Sequence, residues 1–187
     1  MSTYLEVREV TKIFGRRTVV DHVSLAVERG EVFGLLGPNG SGKTTTIRMA
    51  LDIIRPDSGQ VSLLGGTPTR DALSKVGYLP EERGLYQKSR AIDMLSYMGK
   101  LKRLDSRTAS ARAEKMLERV GLHQNRADKV QALSRGMSQL IQFAGALLHE
   151  PDLIILDEPF AGLDPLNVQL MKDIIREEQR RGAAAIF

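Results

Sequence analysis

The sequence predicts an α/β fold: a mixed or parallel sheet flanked by helices, with an antiparallel β region at its start and an inserted α-helical subdomain. Three observations carry this expectation. An apolar run, Phe33-Gly34-Leu35-Leu36, feeds directly into Gly37-Pro38-Asn39-Gly40-Ser41-Gly42-Lys43-Thr44, which fits the phosphate-loop pattern GxxxxGK[ST]. A second continuous apolar run, Leu153 to Leu156, has the character of a strand covered on both faces. Between the two lies a long stretch of helical periodicity.

Taken in order, Tyr4, Glu6 and Arg8 alternate with Leu5 and Val7, and Val23, Leu25 and Val27 alternate with Ser24 and Ala26, as strands with one buried face do. Arg29-Gly30 marks a turn into a strand expected over Val32 to Leu36. After the loop, Ile47, Leu51 and Ile54 stand at helical spacing until Pro56-Asp57-Ser58-Gly59, and a short strand from Val61 to Leu64 ends at Gly65-Gly66. From about Ser89 the pattern is helical. Ile92, Leu95, Met98 and Leu101 form one stripe; Ala109, Ala113, Met116, Leu117 and Val120 form the next, ended by Gly121; Leu140, Ile141, Ala144, Leu147 and Leu148 form a third. Asp164-Pro165 opens a last helix as N-cap and first helical residue, with Leu166, Leu170 and Ile174 on its apolar stripe and Arg180, Arg181 and Gly182 at its end. Ala183 to Phe187 begins another strand. The expected organisation is one domain, residues 1–187, with a core at about 1–85 and 150–187 and a helical subdomain at about 86–149.

The chemistry of the phosphate loop follows from its residue types. Glycines let successive N–H groups turn inward around phosphate oxygens, Lys43 reaches the β and γ phosphates, and the Thr44 hydroxyl is placed to ligate Mg²⁺. A helix starting here adds the positive end of its dipole. Asp157-Glu158, at the carboxyl end of the second apolar run, supplies one carboxylate for the metal side and a next one to orient or deprotonate an attacking water. The core is thus expected to be that of a P-loop nucleoside triphosphatase.

Bulk composition sets further bounds. The chain has no cysteine, which excludes disulfide frameworks and thiolate metal sites. No apolar run approaches the ~20 residues a bilayer span needs, and a soluble chain is expected. The net charge of +4 is uneven: residues 88 to 135 hold 12 Lys/Arg against 5 Asp/Glu. Without interleaved aromatics that excess does not make a nucleic-acid platform. It is either a solvated helical face or a surface that lies near anionic headgroups.

With Leu133-Ser134-Arg135-Gly136-Met137 and Asp157-Glu158-Pro159-Phe160-Ala161-Gly162-Leu163-Asp164 added, the whole chain resembles the nucleotide-binding subunit of an ATP-binding cassette (ABC) transporter. The resemblance implies ATP and Mg²⁺ as ligands, with Gly37 to Thr45 binding nucleotide, Thr44, Asp157 and Glu81 on the metal side, and Glu158 as general base and Lys43 on the phosphates as the catalytic residues. Leu133 to Met137 would be the signature that completes the ATP site of a second subunit. Ser134 and Gly136 stand ahead of a helix whose positive end could face a γ phosphate. Asp164 would lie in the loop linking two sites. Phe14 is either the aromatic that stacks on adenine or an apolar residue of the first sheet. Implied partners are a second ATPase subunit, as homodimer or heterodimer, and a transmembrane permease, holding the protein on the cytoplasmic face of the membrane.

Three departures from the family pattern stand out. Arg135 and Met137 replace a glycine and a glutamine of the signature, and Arg135 either adds charge near the γ phosphate or points to solvent. Glu81 stands where glutamine is usual after Gly77-Tyr78-Leu79-Pro80; with Glu82, Arg83, Gly84, Leu85 and Tyr86 it resembles the branch serving sodium-efflux and drug exporters. The family's switch histidine would follow the strand at Ala183, beyond Phe187, and His22, His123 and His149 do not match its position, so a chain truncated at its C-terminal side is expected. A GTPase is disfavoured because Asn125-Arg126-Ala127-Asp128 has arginine for lysine and precedes Asp157. An ATP-binding regulator without turnover is the alternative.

Overall fold

A computed structural model describes residues 2–82 and 84–187; Arg83, within the stretch that carries the branch resemblance, lies outside them. Two 12-residue strands, β1 (Thr3–Phe14) and β2 (Arg17–Glu28), form an antiparallel hairpin. β4 (Ser58–Leu63) pairs with the other edge of β1, giving the order β2-β1-β4. The alternation that placed Leu5 and Val7 inward does not run straight through the strand. Its register shifts between Val7 and Val10, and Glu9 takes φ 48. That bulge absorbs one residue, so Val7 and Val10, three positions apart, are both buried while Glu9 stays exposed.

The parallel sheet has the order β3-β7-β6-β5, from β3 (Val32–Phe33), β7 (Ala184–Ile186), β6 (Leu153–Leu156) and β5 (Val76–Leu79). β6 is paired on both edges, and all four of its residues are buried. Successive residues serve different cores. Leu153 and Ile155 join Ile47, Met49 and Ala50 against the antiparallel sheet, whereas Ile154 and Leu156 join the helical side. Each such side chain contributes about 1.5–3 kcal/mol by leaving water, which is why a run with no polar alternation is stable here. The strand expected over Val32 to Leu36 is regular only to Phe33, but Leu35 N still donates to Phe187 O at 2.6 Å and Phe187 N to Phe33 O at 3.1 Å.

Helix α1 (Lys43–Ala50) stops earlier than its apolar spacing implied, because Asp52 turns into a left-handed conformation at φ 54. The short α2 (Arg70–Ser74), capped by Thr69, carries no apolar stripe and was not expected. α3 (Ala91–Leu101), α4 (Ser106–Arg119) and α5 (Arg135–Leu147) follow the expected periodicity, and Asp105 caps α4 with two bonds of 3.0 Å to the amides of Arg107 and Thr108. α6 (Pro165–Arg181) begins at the Asp164 cap and ends at Gly182, φ 101. Two stripe positions are corrected: Leu101 and Leu166 are 64% and 83% exposed. Met171, Ile174 and Ile175 form the buried face of α6, and Glu178 among them is bonded by Arg119 of α4 at 2.7 Å.

α5 lies close on β5. A methyl group on Gly77 would meet the Ala146 carbonyl inside contact distance and Pro151 Cγ at 3.0 Å. Gly77→Ala should therefore lower unfolding free energy by about 1–3 kcal/mol in urea denaturation. Gly66→Ala, with nothing within 4 Å of the added carbon, should stay within about 0.5 kcal/mol. Equal midpoints for the two would show that the α5–β5 approach is loose.

His149, behind the same strand, contacts Val76 O through Nε2 at 3.2 Å, and its Nδ1 is buried without a partner among the described residues. Burial, and then the nearby Lys102 ammonium, push its pKa from 6.5 down to about 4. Because the folded form rejects a proton that the unfolded chain accepts, His149's contribution is intact above pH 6.5 and is lost progressively down to about 4. The expected result is a falling denaturation midpoint across that window and a flatter profile in His149→Gln; parallel profiles would refute it. The carboxylates of Asp57, Asp105, Asp164 and Asp173, lowered from 3.8, lose their contribution only below it.

Candidate nucleotide site

The phosphate loop is shaped by steric exclusion as much as by hydrogen bonds. Gly42, the residue before α1, has φ 94, and a Cβ there would lie 2.6 Å from Val19 O of β2. Only glycine combines that conformation with that approach. Thr46 N donates to Gly42 O at 2.8 Å and Ser41 N to Pro38 O at 3.2 Å, so the loop is already wound into the first turn of α1. The remaining helix-start amides have no partner within the helix and form an anion-binding end.

Lys43 curls back over this loop. Its Nζ donates to Gly37 O at 2.8 Å and Pro38 O at 3.3 Å, and lies 3.5 Å from Glu158 Oε1. The Glu158 side chain is 43% exposed, so the ion pair is a modest one. Glu158 takes φ 50, an uncommon conformation for a residue with a Cβ, two residues past the end of β6. Strain of this kind persists where surrounding structure over-determines it, and it is enriched at functional positions.

Asp157 is only 2% exposed. Thr44 Oγ1 donates to its Oδ1 at 3.2 Å, Asp157 N donates to Leu79 O at 2.9 Å, and its Oδ2 is buried with no partner among the described residues. The half-buried Tyr78 phenol has its pKa raised first by burial and then by the Asp157 charge. A cavity of about 460 Å³ opens beside these groups, lined by Asn39, Gly40, Gly42, Lys43, Thr44 and Thr45, with Glu81 and Glu158 also on its wall.

The donor set fits Mg²⁺. No group of three His, Cys, Asp or Glu residues among the described residues is placed to hold a metal by itself, and a hydroxyl beside one buried, half-satisfied carboxylate leaves coordination to phosphate oxygens and water. That sharing is characteristic of Mg²⁺, which keeps several waters and binds with substrate phosphates.

Lys43, Thr44, Thr45, Glu81, Asp157 and Glu158 are brought together; Leu133 to Met137 are not part of this cavity wall. Ser134 caps α5, its Oγ accepting from Met137 N at 3.1 Å, and Arg135 is exposed. Leu133 and Met137 pack on the helical core, and Gly136 lies beside Leu163 and Asn167. Asp164 is fully engaged with that same Asn167, accepting from its N at 3.0 Å and its Nδ2 at 2.7 Å, and the backbone bond keeps its carboxyl below the usual range. The starts of α5 and α6 are therefore neighbours. Phe14 is 48% exposed at the end of β1, with Lys12 Nζ 5.5 Å from its ring centre, and is not in the cavity wall. Val19 and Ala161 do line the cavity and were not anticipated; Val19 is reached only through the close approach of β2 to Gly42.

Comparison with known proteins agrees with this architecture. Residues 20–161 match the ABC transporter family model. The chain is 43% identical over 183 residues to the uncharacterized ABC transporter ATP-binding protein YhaQ of Bacillus subtilis (strain 168), covering 98% of this chain and 61% of that protein. It is 37% identical over 190 residues to the bacitracin transport ATP-binding protein BcrA of Bacillus licheniformis, covering 100% of this chain and 61% of that protein. The chain thus spans about three-fifths of the length of these relatives. A solved structure described as the ATP binding subunit of an ABC transporter superimposes with a TM-score of 0.89 at 29% identity, covering 98% of this chain and 78% of that one. The protein belongs to the ABC transporter family, in its ATP-binding branch.

Proposed function

We propose that the chain is the ATP-binding and ATP-hydrolysing part of an ABC exporter subunit, acting as a head-to-tail dimer beneath a transmembrane permease. The observation that carries this reading is the single cavity where a left-handed glycine loop, a helix start, Lys43, Thr44 and the carboxylates of Glu81 and Glu158 converge, with buried Asp157 bonded to Thr44 behind it. The exporter assignment draws on likeness to BcrA, whose name gives it bacitracin transport. No helix of the described residues is long and apolar enough to cross a membrane.

In this reading the loop amides and Lys43 bind the β and γ phosphates, and Lys43 exchanges its loop carbonyls for phosphate oxygens. Thr44 and Asp157 would hold Mg²⁺, which when bound would supply positive charge to the phosphate oxygens. Glu158 orients a water toward the γ phosphorus and accepts its proton; ADP leaves as inorganic phosphate forms. The helix start at Ser134 and the Asp164 turn, side by side and outside this cavity, are free to face the nucleotide of a second subunit. ATP then bridges the interface, and hydrolysis releases it. Arg135 and Met137 in the signature support a second reading, ATP binding without turnover.

Lys43→Ala should weaken ATP binding about 10- to 100-fold in equilibrium titration with a fluorescent analogue, because the loop keeps its shape but loses its fixed cation. Unchanged affinity would remove this loop from the site. Glu158→Gln in the full-length protein should bind ATP normally, turn over about 10²- to 10⁴-fold more slowly and accumulate as an ATP-bound dimer on size exclusion. If wild-type protein with its permease shows no phosphate release, the binding-only reading replaces the first.

A further inference from the structure

Two buried amides on α5 face the segments that carry the carboxylates of the cavity. Gln139 and Gln142 are 5% and 4% exposed and stand three residues apart, which puts them on one side of the helix. Gln142 Nε2 donates to the carbonyl of Glu82 at 3.0 Å, and Gln139 Nε2 reaches the carbonyl of Pro159 at 3.4 Å. Each acceptor belongs to the residue immediately after a cavity carboxylate, Glu81 in one case and Glu158 in the other.

Stability alone does not account for Gln142. The neighbouring positions Leu140, Ile141, Phe143 and Ala144 are buried and apolar, and the Oε1 of Gln142 is buried with no partner among the described residues. An apolar side chain of the same length would fill the space without leaving that oxygen desolvated. What the amide adds is a directed bond to the segment after β5. Glu81 and Glu82 lie outside the regular strand that ends at Leu79, and α5 is held firmly behind them by the close Gly77–Ala146 and Gly145–Met98 approaches. The bond from Gln142 is of ordinary length, whereas that from Gln139 is long and correspondingly weak. Gln142 is therefore the stronger restraint.

We propose that Gln142 is a positioning residue for Glu81: its amide holds the Glu82 carbonyl and so sets how the Glu81 carboxylate meets the metal side of the nucleotide cavity. The same helix begins at Ser134, about 12 Å away along its axis. The proposal rests on the ATPase reading above.

The test uses the full-length protein and Gln142→Met, which keeps the length of the side chain and removes the donor. Mn²⁺ affinity, read by electron paramagnetic resonance with a non-hydrolysable ATP analogue bound, should fall about 3- to 10-fold, the scale of one hydrogen bond. The turnover number should fall by a similar factor while KM for ATP stays within about twofold and thermal stability is kept. In a Glu81→Ala background, Gln142→Met should change Mn²⁺ affinity no further. Gln142→Leu repeats the series with a different apolar outline. Unchanged Mn²⁺ affinity, an additive effect in the Glu81→Ala background, or loss of folding in both variants would overturn the proposal. Lys43→Ala serves as the separate control: if it binds nucleotide like wild type, the ATP-site reading fails; if it does not bind while Gln142→Met leaves Mn²⁺ affinity alone, only the role of Gln142 fails.

Discussion

The hydrogen bond from Thr44 to Asp157 joins residues 113 positions apart and fixes the phosphate loop against the central strand. Most of the architecture serves to hold its two ends. Asp157 extends β6, which is paired on both edges and covered on both faces, so the carboxylate has little freedom to retreat. Thr44 is in the first turn of α1, whose preceding glycine is wedged against the backbone of Val19. One oxygen of Asp157 is satisfied by this contact and the other is left buried and unpartnered among the described residues, an arrangement that raises the value of any cation able to reach it.

Charge around the cavity is unbalanced in the same direction. Glu81, Asp157 and Glu158 surround a single ammonium, that of Lys43, which is already shared between loop carbonyls and Glu158. Triphosphate alone would meet three carboxylates; triphosphate with a divalent cation meets a nearly neutral site. In the proposed reading, nucleotide and metal would therefore bind as a unit.

Local motifs were legible in the sequence because their chemistry is contained in a few consecutive residues. The glycine spacing before Lys43, the apolar run before Asp157 and the Asp164-Pro165 helix start all read directly, and the strand at Ala184–Ile186 lies within the run from Ala183 to Phe187 that reads as a strand. What escaped depends on residues brought from elsewhere. Leu101 and Leu166 obey helical spacing yet face solvent, because no element among the described residues covers them. The bulge at Glu9, the early end of α1 at Asp52 and the tiny α2 leave no periodic trace. Gln139 and Gln142 read as polar residues on an apolar helix, and their partners become visible only when Glu82 and Pro159 are folded beside them. Phe14 stayed ambiguous for the same reason: one exposed aromatic at a strand end belongs to whatever covers it.

The strand order β3-β7-β6-β5 also sets a schedule for the nascent chain. β3, which delivers the phosphate loop, finds its one sheet neighbour among the described residues at Ala185 and Ile186. At about 5–20 residues per second, a ribosome makes that neighbour roughly 8–30 seconds after Phe33 has emerged. For this interval the nucleotide loop hangs from an unpaired apolar strand, and neither Asp157 nor β6 exists for the first part of it. The segment around Phe33 and Leu35 therefore waits longest of the four parallel strands for its partner, until β7 is inserted between β3 and β6.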